Sequence, residues 1–433
     1  MIPERGPLCG KEVDVIPAVL ERCAGVDIGK RFSIVCLMVG AADKEPSVEI
    51  RRFETTNAEL EKLRDWLAAN GCTHAVMEST GSYWKPIFNV LEPMMAVVLA
   101  NPQQVKNLPG QKTDRRDGKR LAHLLRHGLI QASFIPPKPI RELRDLTRRR
   151  RQLLGAGSSE RNRIQKVLED ANVKLASVLT DLFGVSGQAM LEALLEGTSS
   201  PESIAEFARG RLKRKVPDII IALQGHQMSD HHRFLVRQAL RHMEFLEKEV
   251  EELDTEILQK LEPYAEQFQR LQTIPGIKKD AAASILAEIG ADMNTFASAG
   301  RLSSWAGVCP GNNESAGKHK SGRTRKGNVW LRSTLMESAW AASNKKDSYF
   351  KAKFCRLAAR RGNKRAVFAI AHSLLVTVWC VLESGLPYRE LGGAYLDERR
   401  RNQLIRHHTR RLKELGAIST PTHTPSQPAQ SGA

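Results

Sequence analysis

The sequence predicts an α/β domain followed by a long, mainly helical region. Three observations carry that prediction. Short apolar runs alternate with helical spacing from about Cys23 to His127, apolar residues recur in heptad fashion beyond Val236, and two of the early runs end in acids, Asp27 and Glu78. At 433 residues the chain is too long for a single core, so two or three domains are expected. We place an extension at 1–22, the α/β domain at 23–135, a helical connector with a coiled coil at 136–265, a helical C-terminal domain at 266–390, and a basic, then disordered tail at 391–433.

Within the first domain the elements follow each other closely. Cys23–Asp27, Phe32–Val39 and Val48–Thr55 read as three strands of a meander. Asn57–Ala69 carries Leu60, Leu63 and Leu67 at helical spacing. A strand over Ala75–Glu78 follows, then, past the Gly81 turn, a helix over Tyr83–Leu91, a strand over Met95–Ala100 and a helix over Asp114–His127 with Leu121, Leu124 and Leu125 inward. The order βββαβαβα is that of the RNase H and RuvC nuclease fold. There an acid from the first strand, one from the fourth and one or two from the last helix meet at one edge, and Asp27, Glu78, Asp114 and Asp117 fall at those places. Asp114 and Asp117 are three residues apart at a helix start, so they share a face. Hard cations such as Mg²⁺ take oxygen ligands, and a pair of them can clamp both oxygens of a phosphoryl transfer. Gly25-Val26-Asp27-Ile28-Gly29 alone also suits actin-like ATPases, whose glycines approach nucleotide phosphates; the later acids favour the metal site.

The remainder is helical and basic. Arg148, Arg149, Arg150 and Arg151 are consecutive, so on a helix they point all round it and are expected to be exposed and available to phosphates. Val236, Ala239, Met243, Leu246, Val250, Leu253 and Ile257 alternate at three and four, enough for a seam that closes either on its own domain or on a second chain. Leu271–Ile277, with its Pro275-Gly276 turn, followed by Ala281–Ile289, resembles a helix-hairpin-helix whose turn and free N–H groups would face a phosphate backbone. Ser303–Arg332 reads as a glycine-rich DNA-handling loop. It carries Lys318, Lys320, Arg323, Arg325 and Lys326, and Asn328 and Arg332 also stand where they could meet phosphate. Apolar helices then cover Leu331–Ala342 and Ala366–Leu382.

Composition narrows the partner. There are 66 Lys and Arg against 48 acids, a formal net charge of +18, which fits a polyanion such as nucleic acid. The 7 cysteines are odd in number and scattered through apolar runs, without zinc spacing or a disulfide framework, as in a reduced, cytoplasmic protein. No apolar stretch is read as reaching the roughly eighteen residues of a membrane span, and no secretory leader is recognised.

Taken in order, these motifs resemble the DEDD transposases of the insertion-sequence IS-one-ten family, the bridge-RNA-guided recombinases. The resemblance covers roughly Ala24 to Leu382. It rests on Gly25–Lys30, Met77–Gly81, Lys112–Asp117, Ile274–Ile277, Trp305–Pro310, Ser315-Ala316-Gly317 and Lys326–Arg332. It implies a RuvC-like domain, a connector with a coiled coil and a transposase domain carrying a nucleophilic serine. That serine is Ser315 by its Ser-Ala-Gly element, with Ser321-Gly322 as competitor. The resemblance further implies Mg²⁺, or Mn²⁺ in its place, on Asp27, Glu78, Asp114 and Asp117, donor and target DNA as substrates, a noncoding bridge RNA, and a homo-oligomer, dimer or tetramer. The runner-up is a RuvC-type endonuclease with water as nucleophile.

Overall fold

The computed structural model describes residues 18–79, 81–101, 114–130, 132–311, 313–315, 317–322, 324 and 326–417; for 114–116, 313–315, 319–321, 399, 400 and 402 it describes the backbone alone. The tail from Thr420 and the Lys112-Thr113 pair lie outside the described residues. The chain divides into two compact units, Met1–Ile135 and Pro136–Ala433.

The first unit is a mixed α/β sheet domain. Strands β1 (Arg22–Ile28), β2 (Phe32–Val39) and β3 (Ser47–Glu54) form the antiparallel meander; helix α1 (Asn57–Ala69) crosses to β4 (His74–Glu78), α2 (Trp84–Leu91) to β5 (Ala96–Ala100), and α3 (Asp114–Arg126) follows. The strand order is β3-β2-β1-β4-β5, with β4 parallel to both β1 and β5. Each element lies within one residue of its expected ends.

The central strands β1, β2 and β4 are covered on both faces and read as continuous apolar runs, whereas β3 is exposed along most of its length. Ala24, Val26, Val35, Leu37, Ala75 and Met77 pack with Leu60, Leu63, Leu67, Ile87 and Leu91 of α1 and α2. Cys23, Cys36, Met38 and Val76 pack with Leu121, Ala122 and Leu125 of α3. The C-terminal end of α3 is held by Arg126, which is 1% exposed and donates to five carbonyls: Leu20 at 3.1 Å, Glu21 at 3.2 Å, Gly40 at 3.2 Å, Ala41 at 2.7 Å and Lys44 at 3.2 Å. One guanidinium thus ties the helix end to the start of β1 and to the β2–β3 connection, and its planar fork of five donors is what makes this feasible.

The second unit is mostly helical. Helices α4 (Lys138–Asp170) and α9 (Asp230–Leu261) are 33 and 32 residues long. They run antiparallel, as the polar side-chain pairs between them show: Glu142 with Lys260 at 2.9 Å, Arg150 with Asp254 at 2.5 Å, Glu160 with His242 at 3.1 Å, Asp170 with His232 at 3.1 Å. Val236, Ala239 and Met243 join the same core as Ile164 and Leu168 of α4, so the heptad stripe closes on the chain's own helix. Between the two helices the chain makes α5 (Leu175–Val178), α6 (Val185–Glu196), α7 (Pro201–Ala205), a 3₁₀ turn Gly210–Lys215 and α8 (Val216–Leu223), which share that core.

After α9 come α10 (Ala265–Gln272), α11 (Lys279–Ile289), α12 (Ala299–Trp305), a hairpin of β6 (Asn313–Ser315) and β7 (Lys318–Ser321), α13 (Val329–Asn344), α14 (Tyr349–Arg361), α15 (Asn363–Ser384) and α16 (Tyr395–Glu414). Two expectations change here. The Pro275-Gly276 turn is not offered to a phosphate backbone: it packs on α13, where a Cβ on Gly276 would lie 2.2 Å from the Ser338 carbonyl oxygen, and its φ of +82° suits glycine. Ile274 and Ile277 beside it are buried, so the hairpin's apex serves the core. Helix α15 has 22 residues and contains an 18-residue stretch with a mean hydropathy of 1.9, long and apolar enough to cross a membrane by those measures, contrary to the expectation that no stretch qualifies. Its Val367, Ile370, Ala371, Leu374, Leu375 and Val378 are fully buried in the unit, which accounts for the composition.

Two outcomes follow. Replacing Arg126 by Met keeps the volume but leaves five carbonyls without their donor; thermal or urea melts should show the domain less stable by roughly 3 kcal/mol. Burial raises the Cys23 thiol to about 12 and those of Cys36 and Cys72 to about 11. Alkylation of the native protein near pH 8, mapped by peptide mass spectrometry, should mark the exposed Cys355 and Cys380 and spare these three.

Candidate functional site

Asp27 and Glu78 are brought side by side by sheet register. Val26 of β1 pairs with Met77 of β4, so the next residues along the two parallel strands are Asp27 and Glu78. Each stands one step past a residue of the α1/α2 face, which puts both on the opposite face, under α3, with Gly25 and Val76. Neither acid is fully buried.

The third contributor arrives through a close helix-to-strand approach. A Cβ on Gly25 would lie 2.1 Å from the Gly118 carbonyl oxygen and 2.5 Å from the Ala122 nitrogen; a Cβ on Gly118 would lie 3.3 Å from the Gly25 carbonyl oxygen and 3.7 Å from the Asp27 nitrogen. Cys23 Sγ donates to the Ala122 carbonyl at 3.5 Å one turn further along. The first turn of α3 therefore rests on β1 where Asp27 sits. Asp117 precedes Gly118, and Asp114 lies on the same helical face one turn earlier. Gly25 serves this packing; the alternative that it approaches a nucleotide phosphate has no support here. Gly118 was the residue the sequence reading passed over, although a glycine inside a helical pattern signals close packing.

The donor set suits a hard divalent cation: oxygen ligands from two adjacent strand ends and one helix face. Among the described residues no three His, Cys, Asp or Glu side chains already stand close enough to hold an ion, and the Asp114 side chain lies outside the described residues.

In the second unit the arginine run has a fate different from the expected one. Arg148 donates through Nε and Nη2 to Glu288 at 2.7 and 2.8 Å; Arg150 pairs with Asp254 at 2.5 Å and Asp280 at 3.3 Å; Arg151 binds Glu337 and donates to Ser333 at 2.9 Å. Arg149 alone of the four is exposed. The reason is that α4 is packed on several sides, so arginines pointing all round it meet acids of α9, α11 and α13. Glu288 is 2% exposed and also accepts from Asn328 Nδ2 at 2.5 Å, while Arg144 Nε lies 3.4 Å away. Arg144 further donates to the carbonyls of Ala287 at 3.1 Å and Glu288 at 2.7 Å; burial pulls its guanidinium down to about 10 against the attraction of Glu288. Asn328 Oδ1 meanwhile accepts from the Leu331 nitrogen at 3.0 Å, capping α13, so Asn328 is committed to structure at both ends of its amide. Glu288, an acid inside the apolar Ala281–Ile289 stretch, was the sequence signal for this node.

The glycine-rich stretch contains a β-hairpin. Ser315 pairs with Lys318 at the closed end of the β6–β7 hairpin, with Gly317 at φ +72°, and Ser321 pairs with Asn313 at its open end. Lys318 and Lys326 are exposed and Arg332 is half-buried. Arg323 and Arg325 lie outside the described residues, as do the side chains of Lys320, Ser315 and Ser321.

Comparison with known proteins finds two family matches in chain order. The model for DEDD transposases of the IS110 type covers residues 24–173, and that of the transposase IS116/IS110/IS902 family covers residues 268–355. The chain belongs to the IS110 family of insertion-sequence transposases. The first match contains Asp27, Glu78, Asp114 and Asp117; the second contains Glu288, Ser315 and Asn328. The transposase for insertion sequence element IS1111A of Coxiella burnetii is 33% identical over 132 residues, 29% of this chain and 35% of that protein. A putative transposase, y4pF/y4sB, of Sinorhizobium fredii is 27% identical over 219 residues, 49% of this chain and 50% of that protein. The insertion element IS900 uncharacterized 42 kDa protein of Mycobacterium paratuberculosis is 27% identical over 326 residues, 66% of this chain and 76% of that protein. The chain thus spans about a third of the first of these relatives and half of the second.

A methyl group is enough to test the helix-to-strand approach. Gly25→Ala should force α3 away from β1, lowering the melting temperature of the first unit and exposing it to limited proteolysis.

Proposed function

We propose that this family member is a DNA transposase that cuts and rejoins strands through a serine. The observation that carries the proposal is the placement of Asp27 and Glu78 on one sheet face beneath the helix turn that bears Asp114 and Asp117. The strand order and the βββαβαβα succession support a RuvC-like reading of the first unit. In this reading the four acids hold Mg²⁺, or Mn²⁺ in its place, and such an ion when bound neutralises charge on the phosphate being transferred. The Ser315 oxygen forms a bond to a DNA phosphorus while the bond to the departing deoxyribose oxygen breaks, and the serine proton passes through solvent to that oxygen. Attack by a new strand end reverses the step and releases the serine, so the phosphodiester bond energy is conserved. Ser315 is preferred to Ser321 because its Ser315-Ala316-Gly317 element is the better match to the Ser-Gly element that the resemblance implies.

Donor and target DNA are the substrates. A noncoding bridge RNA chooses them by base pairing, which leaves the protein to recognise backbone and shape; the net charge of +18 suits that task. The working form is a homo-oligomer, dimer or tetramer.

A denaturing gel tests the chemistry. Wild-type protein and Ser321→Ala should yield protein-linked DNA, and Ser315→Ala none; unlinked cuts by Ser315→Ala would favour water as the nucleophile. Asp27→Ala, Glu78→Ala and Asp117→Ala should each slow cleavage roughly a hundredfold or more. Full activity in these acid variants would remove the ion from the mechanism. Sequencing of RNA that copurifies with the protein decides whether a guide exists.

A further inference from the structure

Between α7 and α8 lies a cluster of cations that none of the motifs above includes. Arg209, Arg211, Lys213, Arg214 and Lys215 fall within seven residues, with no acid between Glu206 and Asp218, and all five are exposed. The segment is a 3₁₀ turn, Gly210–Lys215, and it is fixed in place. Leu212 and Val216 pack on the core shared by α4 and α9; the Arg209 nitrogen donates to Ser186 Oγ at 3.1 Å, and Lys215 Nζ donates to the Val178 carbonyl at 2.9 Å. With Leu212 turned inward, its neighbours on either side are turned out.

The contrast with α4 is informative. Arg148, Arg150 and Arg151 each meet an acid of the protein. Among the described residues no acid pairs with Arg209, Arg211, Lys213 or Arg214. Four like charges held together on a rigid turn repel one another, a cost that the fold does not offset internally. A polyanion would offset it. Cations gathered on one turn suit phosphate oxygens, which take most protein contacts to a duplex and carry no sequence information.

We propose that Arg209, Arg211, Lys213 and Arg214 form an anchoring site for the sugar-phosphate backbone of duplex DNA, at the end of the long helix pair remote from the Glu288 node. The site adds backbone contacts and salt-dependent affinity. It rests on the reading of the chain as a DNA-handling transposase.

The test uses the full-length protein and a duplex oligonucleotide of arbitrary sequence, with binding followed by fluorescence anisotropy across a salt series. Changing the four residues to Ala together should lower the slope of log affinity against log salt by about 3 and weaken binding roughly tenfold or more at physiological salt. The melting curve should be unchanged, since all four side chains are exposed. Lysine at the three arginine positions should retain the wild-type slope. Equal slopes for wild type and the Ala variant overturn the proposal while leaving the catalytic reading intact, whereas a wild-type protein that binds no duplex overturns both. The same series with duplex RNA completes it: a slope lost on RNA alone overturns the assignment to DNA.

Discussion

The first unit depends on how closely α3 can lie on β1. Gly25 has no room for a Cβ beneath Gly118, and that absence lets the helix reach the strand beside Asp27. Sheet register then supplies the other half, because parallel pairing of β1 with β4 puts Glu78 beside Asp27. Arg126 fixes the far end of the same helix through five carbonyls, so the helix is held on the sheet at both ends.

A different principle organises the second unit. Its central long helices are joined by charge as much as by apolar burial, with Glu288 as the most enclosed acid and Arg144, Arg148 and Asn328 around it. Removing one member of so buried a group costs about 3–5 kcal/mol, far more than an exposed pair. The chain therefore uses its basic surplus in two ways. Some arginines are structural, held by acids in the interior, and others, such as those of the Gly210–Lys215 turn, are left facing solvent.

Much of the fold was legible. Strand and helix ends of the first unit could be read to within a residue, because the central strands are short apolar runs covered on both faces. Candidate acids were legible as acids at strand ends and at one helix start. Less legible was what each charge does: a run of four arginines gives no hint of which neighbours will surround it. The heptad stripe at Val236–Ile257 likewise could not name its partner, since a helix of the same chain and one of another chain present the same apolar surface. The Pro275-Gly276 turn looked like a phosphate loop because glycine serves close approach to a ligand and close approach to another helix equally well.

The sequence by itself determined the succession of elements, the positive charge, the acids and the serines, because these are written in local spacing and composition. Tertiary structure decided which of them meet. Whether Asp27 lies beside Glu78 depends on a parallel pairing between strands separated by a meander and a helix, and whether Arg148 is a structural or a surface group depends on an acid 140 residues away. Such long-range pairings are chosen by the packing of whole elements, and no window along the chain contains them.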